Sequence, residues 1–177
     1  AYSDENPWIR DLLLHGQDSE YYQVFDIVSD HPVRELQNRL LLPFFGKPLE
    51  EMIRDRELTL QFGPRGFSLV YFDNEYPVSA RAYPHILSVD STGEDPAIVT
   101  AFPDIEKTGA DDRPSPSTGT RWQKYVRKIY TATTGDPRLA GHMDRCIEAF
   151  NQDPEKMRSL INKLTYLPVP WKETEKR

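Results

Sequence analysis

The sequence predicts an α+β domain that is mostly helical and carries a small antiparallel β-hairpin. At Asn6-Pro7, Asp136-Pro137 and Asp153-Pro154 a side-chain acceptor is followed by a proline, which is typical of helix starts. The segments "ELTLQF" and "FSLVYFD" alternate between apolar and polar residues around the turn "GPRG", as the strands of a hairpin do. Helical spacing of apolar residues then dominates the last third of the chain. Segregated strands and helices of this kind are typical of the α+β class.

Five helices are predicted from capping and spacing, and one of them is marked only by an apolar stripe: Trp122, Tyr125, Val126, Ile129 and Tyr130. Three begin at the Asx-Pro pairs Asn6-Pro7, Asp136-Pro137 and Asp153-Pro154. The first is expected to run from Pro7 to about His15 and to stop at Gly16. A short fourth helix is expected after Pro48, because the apolar residues that follow have helical spacing. Pro168 and Pro170 are expected to close the last helix, because proline does not fit a helix interior.

The strands are predicted from the alternation of apolar and polar residues and from the positions of prolines. One face of the hairpin should carry Leu58, Leu60 and Phe62 from the first strand, with Phe67, Leu69 and Tyr71 from the second. Pro77 should end the second strand or hold it at a sheet edge. The apolar run "RLLLPFF" (39–45) is either a strand or buried coil, because Pro43 argues against a long helix there.

The 177 residues are predicted to form a single domain (1–177) with three parts. Residues 6–87 form the helix and hairpin part, and residues 120–171 form a three-helix part. Between them, residues 88–119 are rich in Gly, Pro, Ser, Thr and Asp, which predicts a flexible loop.

Charge and composition exclude several classes of function. The 28 acidic and 22 basic residues give a net charge of −6, which disfavours a nucleic-acid partner. No apolar run is long enough to span a bilayer, so we expect no membrane partner. The N-terminal residues "AYSDENPW" lack the basic and apolar regions of a secretory signal, and the chain has a single cysteine, Cys146. Together these features predict a cytoplasmic protein.

Common catalytic signatures are missing from the sequence, including GxGxxG, GxxxxGK[ST], GxSxG and HExxH. No two of the four histidines are spaced to share a helical face, so no metal site and no cofactor are predicted. Cys146 falls on an apolar helical stripe, where a buried thiol is inert. No catalytic residue is assigned.

The aromatic and carboxylate cluster "YYQVFD" (21–26) is the strongest candidate binding feature. Sugar CH groups stack on aromatic rings, and sugar hydroxyls donate to carboxylate oxygens. This chemistry identifies five candidate substrate-binding residues: Trp8, Tyr21, Tyr22, Asp26 and Tyr71. The alternative is structural, because the same rings could pack the first helix against the hairpin.

Three consecutive blocks of the sequence resemble the maltooligosyltrehalose synthases of the α-amylase clan. The blocks are "ENPWIRDLLLHGQDSEYYQVFDI", "LLLPFFGKPLEEMIRDRELTLQF" and "GFSLVYFDNEYPVS", and they follow one another between Asn6 and about Ser79. Further along, "EAFNQDPEKMRSLINKL" resembles a helix junction of the same family.

The resemblance implies a domain inserted into a (β/α)8-barrel enzyme, without being the barrel itself. The family isomerises the reducing-end α-1,4 linkage of maltooligosaccharides to α,α-1,1, an intramolecular transfer that belongs to trehalose biosynthesis. The motifs that carry the family's nucleophile and acid/base do not occur in this chain. The resemblance therefore implies a non-catalytic lid or wall domain, with a glucan substrate and the remaining barrel as its partners. The alternatives are a free-standing carbohydrate-binding domain and a scaffold that docks on a barrel.

Overall fold

The computed structural model describes residues 6–24, 39–89 and 117–170. Asp26, most of the predicted loop (90–116) and the tail (171–177) lie outside this part of the chain. Within it, helices and a small antiparallel sheet confirm the predicted α+β class.

Six α-helices occur in the described ranges: α1 (Pro7–His15), α2 (Leu49–Arg54), α3 (Tyr83–Leu87), α4 (Ser117–Gly135), α5 (Pro137–Gln152) and α6 (Pro154–Asn162). All three predicted N-caps are confirmed, because the side chains of Asn6, Asp136 and Asp153 each accept backbone N–H groups of the following turn. The short helix after Pro48 is also confirmed as α2, with Met52 and Ile53 buried. The sequence did not predict α3.

The predicted hairpin belongs to a three-stranded antiparallel sheet. Its strands are β2 (Leu58–Gly63), β3 (Gly66–Tyr71) and β4 (Asn74–Pro77), in the order β2-β3-β4. Pro77 ends β4, an edge strand that is separate from β3 and does not continue it. The central strand β3 is buried on both faces, since Ser68 is buried like its apolar neighbours.

A second sheet pairs two segments that are far apart in the sequence. β1 (Leu40–Phe45) runs parallel to β5 (Tyr166–Pro170), with Leu40 opposite Tyr166. The prediction that Pro168 and Pro170 close the last helix was therefore wrong, because α6 ends at Asn162 and these prolines lie in a strand. The Leu40 N–H donates to the Thr165 carbonyl, so the N–H positions of residues 166, 168 and 170 face away from β1. Proline is tolerated there because it removes no ladder hydrogen bond.

The last three helices carry the predicted apolar stripes, but the first of them begins early. α4 starts at Ser117, inside the segment predicted as flexible loop (88–119). Trp122, Val126 and Ile129 bury one face of α4, and the stripes of α5 and α6 pack in the same core cluster. This cluster also contains residues of the three-stranded sheet.

A buried hydrogen-bond network joins α1 to the start of β5. The hydroxyls of Ser79 and Thr165 donate to the Leu13 carbonyl at 2.9 and 2.6 Å, and they lie 2.8 Å from each other. The Thr165 N–H donates to the Ser79 hydroxyl at 2.8 Å. These bonds satisfy polar groups that would otherwise be costly to bury, and they fix the position of α1.

Candidate functional site

The most exposed tryptophan that the structure describes lies on α1. Trp8 is 52% exposed, and its ring stacks on that of Tyr21, with centroids 5.5 Å apart and planes 16° from parallel. Stacked aromatic rings attract each other in this offset geometry. One face of the indole is covered by Tyr21, and the exposed remainder is available to a ligand.

Two polar side chains hold Tyr21 in place. The Ser19 hydroxyl donates to Asp11 Oδ2 at 2.5 Å and accepts the Tyr21 N–H at 3.1 Å. Because Asp11 is on α1, this chain of hydrogen bonds fixes the Tyr21 backbone relative to the helix that carries Trp8. We call Trp8, Asp11, His15, Ser19 and Tyr21 the α1 aromatic surface.

His15 lies at the inner end of the α1 aromatic surface. Helical spacing places Trp8, Asp11 and His15 on one face of α1. His15 Nε2 is 3.8 Å from Asp11 Oδ1, and its ring meets Trp122 edge-on at 5.9 Å. Burial lowers the pKa of His15 from its ordinary value, although the charges of Asp11 and Asp18 oppose the change. Burial therefore favours the neutral imidazole, and its Nε2 atom is buried without a hydrogen-bond partner.

Behind His15, two further aromatic side chains bury polar atoms without a partner. Trp122 Nε1 and the Tyr125 hydroxyl make no hydrogen bond in the structure, and their rings lie 5.3 Å apart. Burial raises the pKa of Tyr125, which keeps its hydroxyl protonated as a donor. Unpaired donors of this kind are rare in protein interiors, and because both atoms are closed off from solvent they belong to the core behind the surface.

The five predicted binding residues do not all meet. Trp8 and Tyr21 are brought together, while Tyr22 begins the adjoining 3-10 turn and is half-buried. Tyr71 is only 7% exposed at the end of β3, where its ring contacts Phe72. It therefore offers little ring surface to a ligand. Asp26 lies outside the described residues, so its prediction stays open.

Sequence reasoning missed the other members of the surface. Asp11 and Ser19 were not selected, although an Asp three residues after an exposed Trp on a helix would share its face. Trp122 is buried on the apolar face of α4, and its indole N–H without a partner could not be foreseen before its neighbours were known. The exposed ring of Phe72 was also missed.

A thiol–imidazole contact also appears inside the fold. Cys146 Sγ is 3.4 Å from His142 Nε2, which in turn is 3.1 Å from the Leu87 carbonyl. The two residues are four apart on α5, a spacing that places them on one face of the helix. Both are fully buried, so the thiol offers no access to a substrate, and the bond between His142 and the Leu87 carbonyl joins α5 to α3.

Among residues 6–24, 39–89 and 117–170, no three His, Cys, Asp or Glu side chains are grouped to hold a metal ion. In the same ranges, no helix combines the length and apolar character needed to cross a bilayer.

Comparisons with known proteins returned no match to this chain, whether among family models, curated proteins or solved structures.

Proposed function

We propose that this chain is the non-catalytic insert domain of a maltooligosyltrehalose synthase and that it binds glucan through the α1 aromatic surface. The observation that carries the proposal is the exposed Trp8 ring, stacked on Tyr21 and braced by Asp11. The exposed part of the indole is open to a ligand, whereas most other aromatic rings of the described residues are buried in the fold or only partly exposed.

The chemistry of the surface suits a pyranose ring. The indole face of Trp8 can accept the CH groups of one sugar face. Asp11 carries oxygen acceptors, and Tyr21 carries a hydroxyl, so hydroxyl groups at the edge of the sugar find partners nearby. Hydrogen bonds to charged acceptors are stronger than neutral ones, which favours a hydroxyl-rich ligand over a purely apolar one.

The order of the elements also supports the family assignment. The first resembling block covers α1 and its glycine stop, the second covers β1, α2 and β2, and the third covers β3 and β4. The resemblance thus follows whole elements of structure in sequence order. The attribution to this family and the cytoplasmic location rest on the sequence.

In a complete enzyme, the domain would act as a wall of the active-site cleft. Its residues would hold part of the glucan and exclude water, while the reacting carboxylates belong to the barrel. Exclusion of water favours transfer of the glucosyl group within the substrate over hydrolysis.

Replacing Trp8 by Ala tests the binding surface. We expect Trp8→Ala to weaken the affinity of the isolated chain for maltoheptaose about tenfold or more, because the stacking face is lost. The thermal midpoint should change little, since the ring is half exposed. Isothermal titration calorimetry gives the affinity. Val24→Ala is the control, because Val24 is an exposed apolar residue without a ring. If the wild type, Trp8→Ala and Val24→Ala bind maltoheptaose with equal affinity, the α1 aromatic surface is not the binding site.

A free-standing carbohydrate-binding domain would use the same surface, so binding alone does not separate it from a lid. The two differ in a complete maltooligosyltrehalose synthase. Removing this domain should raise hydrolysis relative to transglycosylation, measured as glucose released per trehalose end formed. An unchanged ratio would reject the lid and leave only the binding domain.

A further inference from the structure

Phe72 is the most exposed large apolar side chain in the described residues, at 68%. It lies in the two-residue turn between β3 and β4, where Tyr71 pairs with Asn74. Its backbone has a φ of 51°, a left-handed value that bulky side chains rarely adopt. The position therefore combines an exposed ring with a strained backbone.

The turn geometry explains why phenylalanine is unfavourable here. Of the two turn residues, only Phe72 has a positive φ, which is the pattern of a type II′ turn. The first position of that turn normally holds glycine, since a side chain there is strained. The single ring contact of Phe72 that the structure gives is an edge-on one with Tyr71 at 4.6 Å. Packing in the fold thus does little to offset the strain.

We propose that Phe72 is a second sugar-stacking ring, separate from Trp8, that contacts a longer α-glucan. This inference rests on the proposed function. Asp73 and Asn74 are exposed beside the ring, so the turn offers a stacking face together with polar partners for hydroxyl groups. The same combination of ring and oxygen acceptor characterises the α1 aromatic surface.

The two rings lie near different ends of the three-stranded sheet. Arg10 of α1 donates to the Arg65 carbonyl in the turn before β3, whereas Phe72 lies in the turn after it. The six residues of β3 separate these turns by about 17 Å along the strand. Phe72 therefore forms a distinct contact point, and only a ligand of several sugar units could engage both rings.

Three variants of the full chain test the inference. Phe72→Gly removes the ring and relieves the strained φ, while Phe72→Tyr keeps a ring for stacking. Arg56→Gly is the matched control, because Arg56 is the other non-glycine residue with positive φ in the described ranges and is also exposed. Each is titrated with maltoheptaose by calorimetry and melted in parallel with the wild type and Trp8→Ala.

We expect Phe72→Gly to weaken maltoheptaose binding about threefold to tenfold, with a thermal midpoint equal to or a few degrees above that of the wild type. Phe72→Tyr and Arg56→Gly should keep the wild-type affinity. Wild-type affinity in Phe72→Gly, with weakened binding in Trp8→Ala, would overturn the Phe72 inference alone. If Phe72→Gly has a lower thermal midpoint than the wild type, the ring stabilises the fold by packing, and this too would overturn the Phe72 inference. If the wild type does not bind, the proposed function and this inference fall together.

Discussion

Gly16→Ala is expected to destabilise the protein by about 2–4 kcal/mol. Gly16 ends α1 with φ 59° and ψ −122°, a combination that glycine alone adopts readily. A Cβ atom there would also lie 2.7 Å from Thr165 Cγ2 and 2.9 Å from Thr165 Cβ. Thr165 cannot easily move away, because it is bonded to Ser79 and Leu13. Backbone strain and steric overlap therefore act together.

Chemical denaturation of the variant and wild type measures this loss. Gly63→Ala is the matched control, since a Cβ at Gly63 meets nothing within 4 Å, and we expect its free energy of unfolding to change by less than about 1 kcal/mol. The double variant Gly16→Ala/Thr165→Ser should recover part of the loss, because it removes Thr165 Cγ2 but keeps the hydroxyl. A Gly16→Ala protein as stable as Gly63→Ala would contradict the close approach of α1 to β5.

Asn151→Ala is the second change with a large expected effect, a loss of about 2–4 kcal/mol. Asn151 Oδ1 accepts the Leu60 N–H at 2.6 Å, and its Nδ2 donates to the Leu60 carbonyl at 3.0 Å. Leu60 is fully buried on β2, an edge strand of the sheet. The amide thus takes the place of a neighbouring strand, and removing it leaves two backbone groups unsatisfied.

The neighbouring Gln152→Ala provides the control for Asn151→Ala. Gln152 is exposed and bonds only Glu148 among the contacts that the structure gives, so its loss should change the free energy of unfolding by about 0.5 kcal/mol or less. The loss in free energy of unfolding for Asn151→Asp should lie between those for Asn151→Ala and Gln152→Ala. A carboxylate still accepts the Leu60 N–H but repels the Leu60 carbonyl. Equal stability of Asn151→Ala and Gln152→Ala would show that this amide does not secure β2.

Local signals in the sequence predicted the local structure well. The Asx-Pro pairs predicted three helix starts because both the capping acceptor and the proline act within one turn. Gly16 was predicted as the end of α1, although its contact with Thr165 was not. The hairpin followed from alternation and from a glycine-rich turn.

Features that depend on distant residues could not be predicted. The pairing of β1 with β5 joins Leu40 to Tyr166, and nothing local in "TYLPVP" distinguishes a strand from a coil after a helix. Asn151 reaches Leu60 across 91 positions of sequence, so its role is invisible until α5 packs on β2. The same limit applied to the site. Tyr71 and Phe72 are adjacent aromatics, and only the turn geometry decides that Phe72, not Tyr71, is exposed.

The fold and the candidate site are linked through α1. The hydrogen bonds among Leu13, Ser79 and Thr165 fix the buried side of α1. On the exposed side of the helix, the hydrogen bond between Asp11 and Ser19 holds Tyr21 beside Trp8. A surface held in this way loses little freedom when a ligand binds, which favours affinity.

The most direct measurement is a titration of the isotope-labelled chain with maltoheptaose, followed through the indole N–H resonances of its three tryptophans. A glucan held on the α1 aromatic surface should shift the Trp8 indole resonance in a saturable way at millimolar ligand or below, and Trp8→Ala should assign that signal. Indole resonances that stay in place up to the solubility limit of the sugar would contradict glucan binding by this chain.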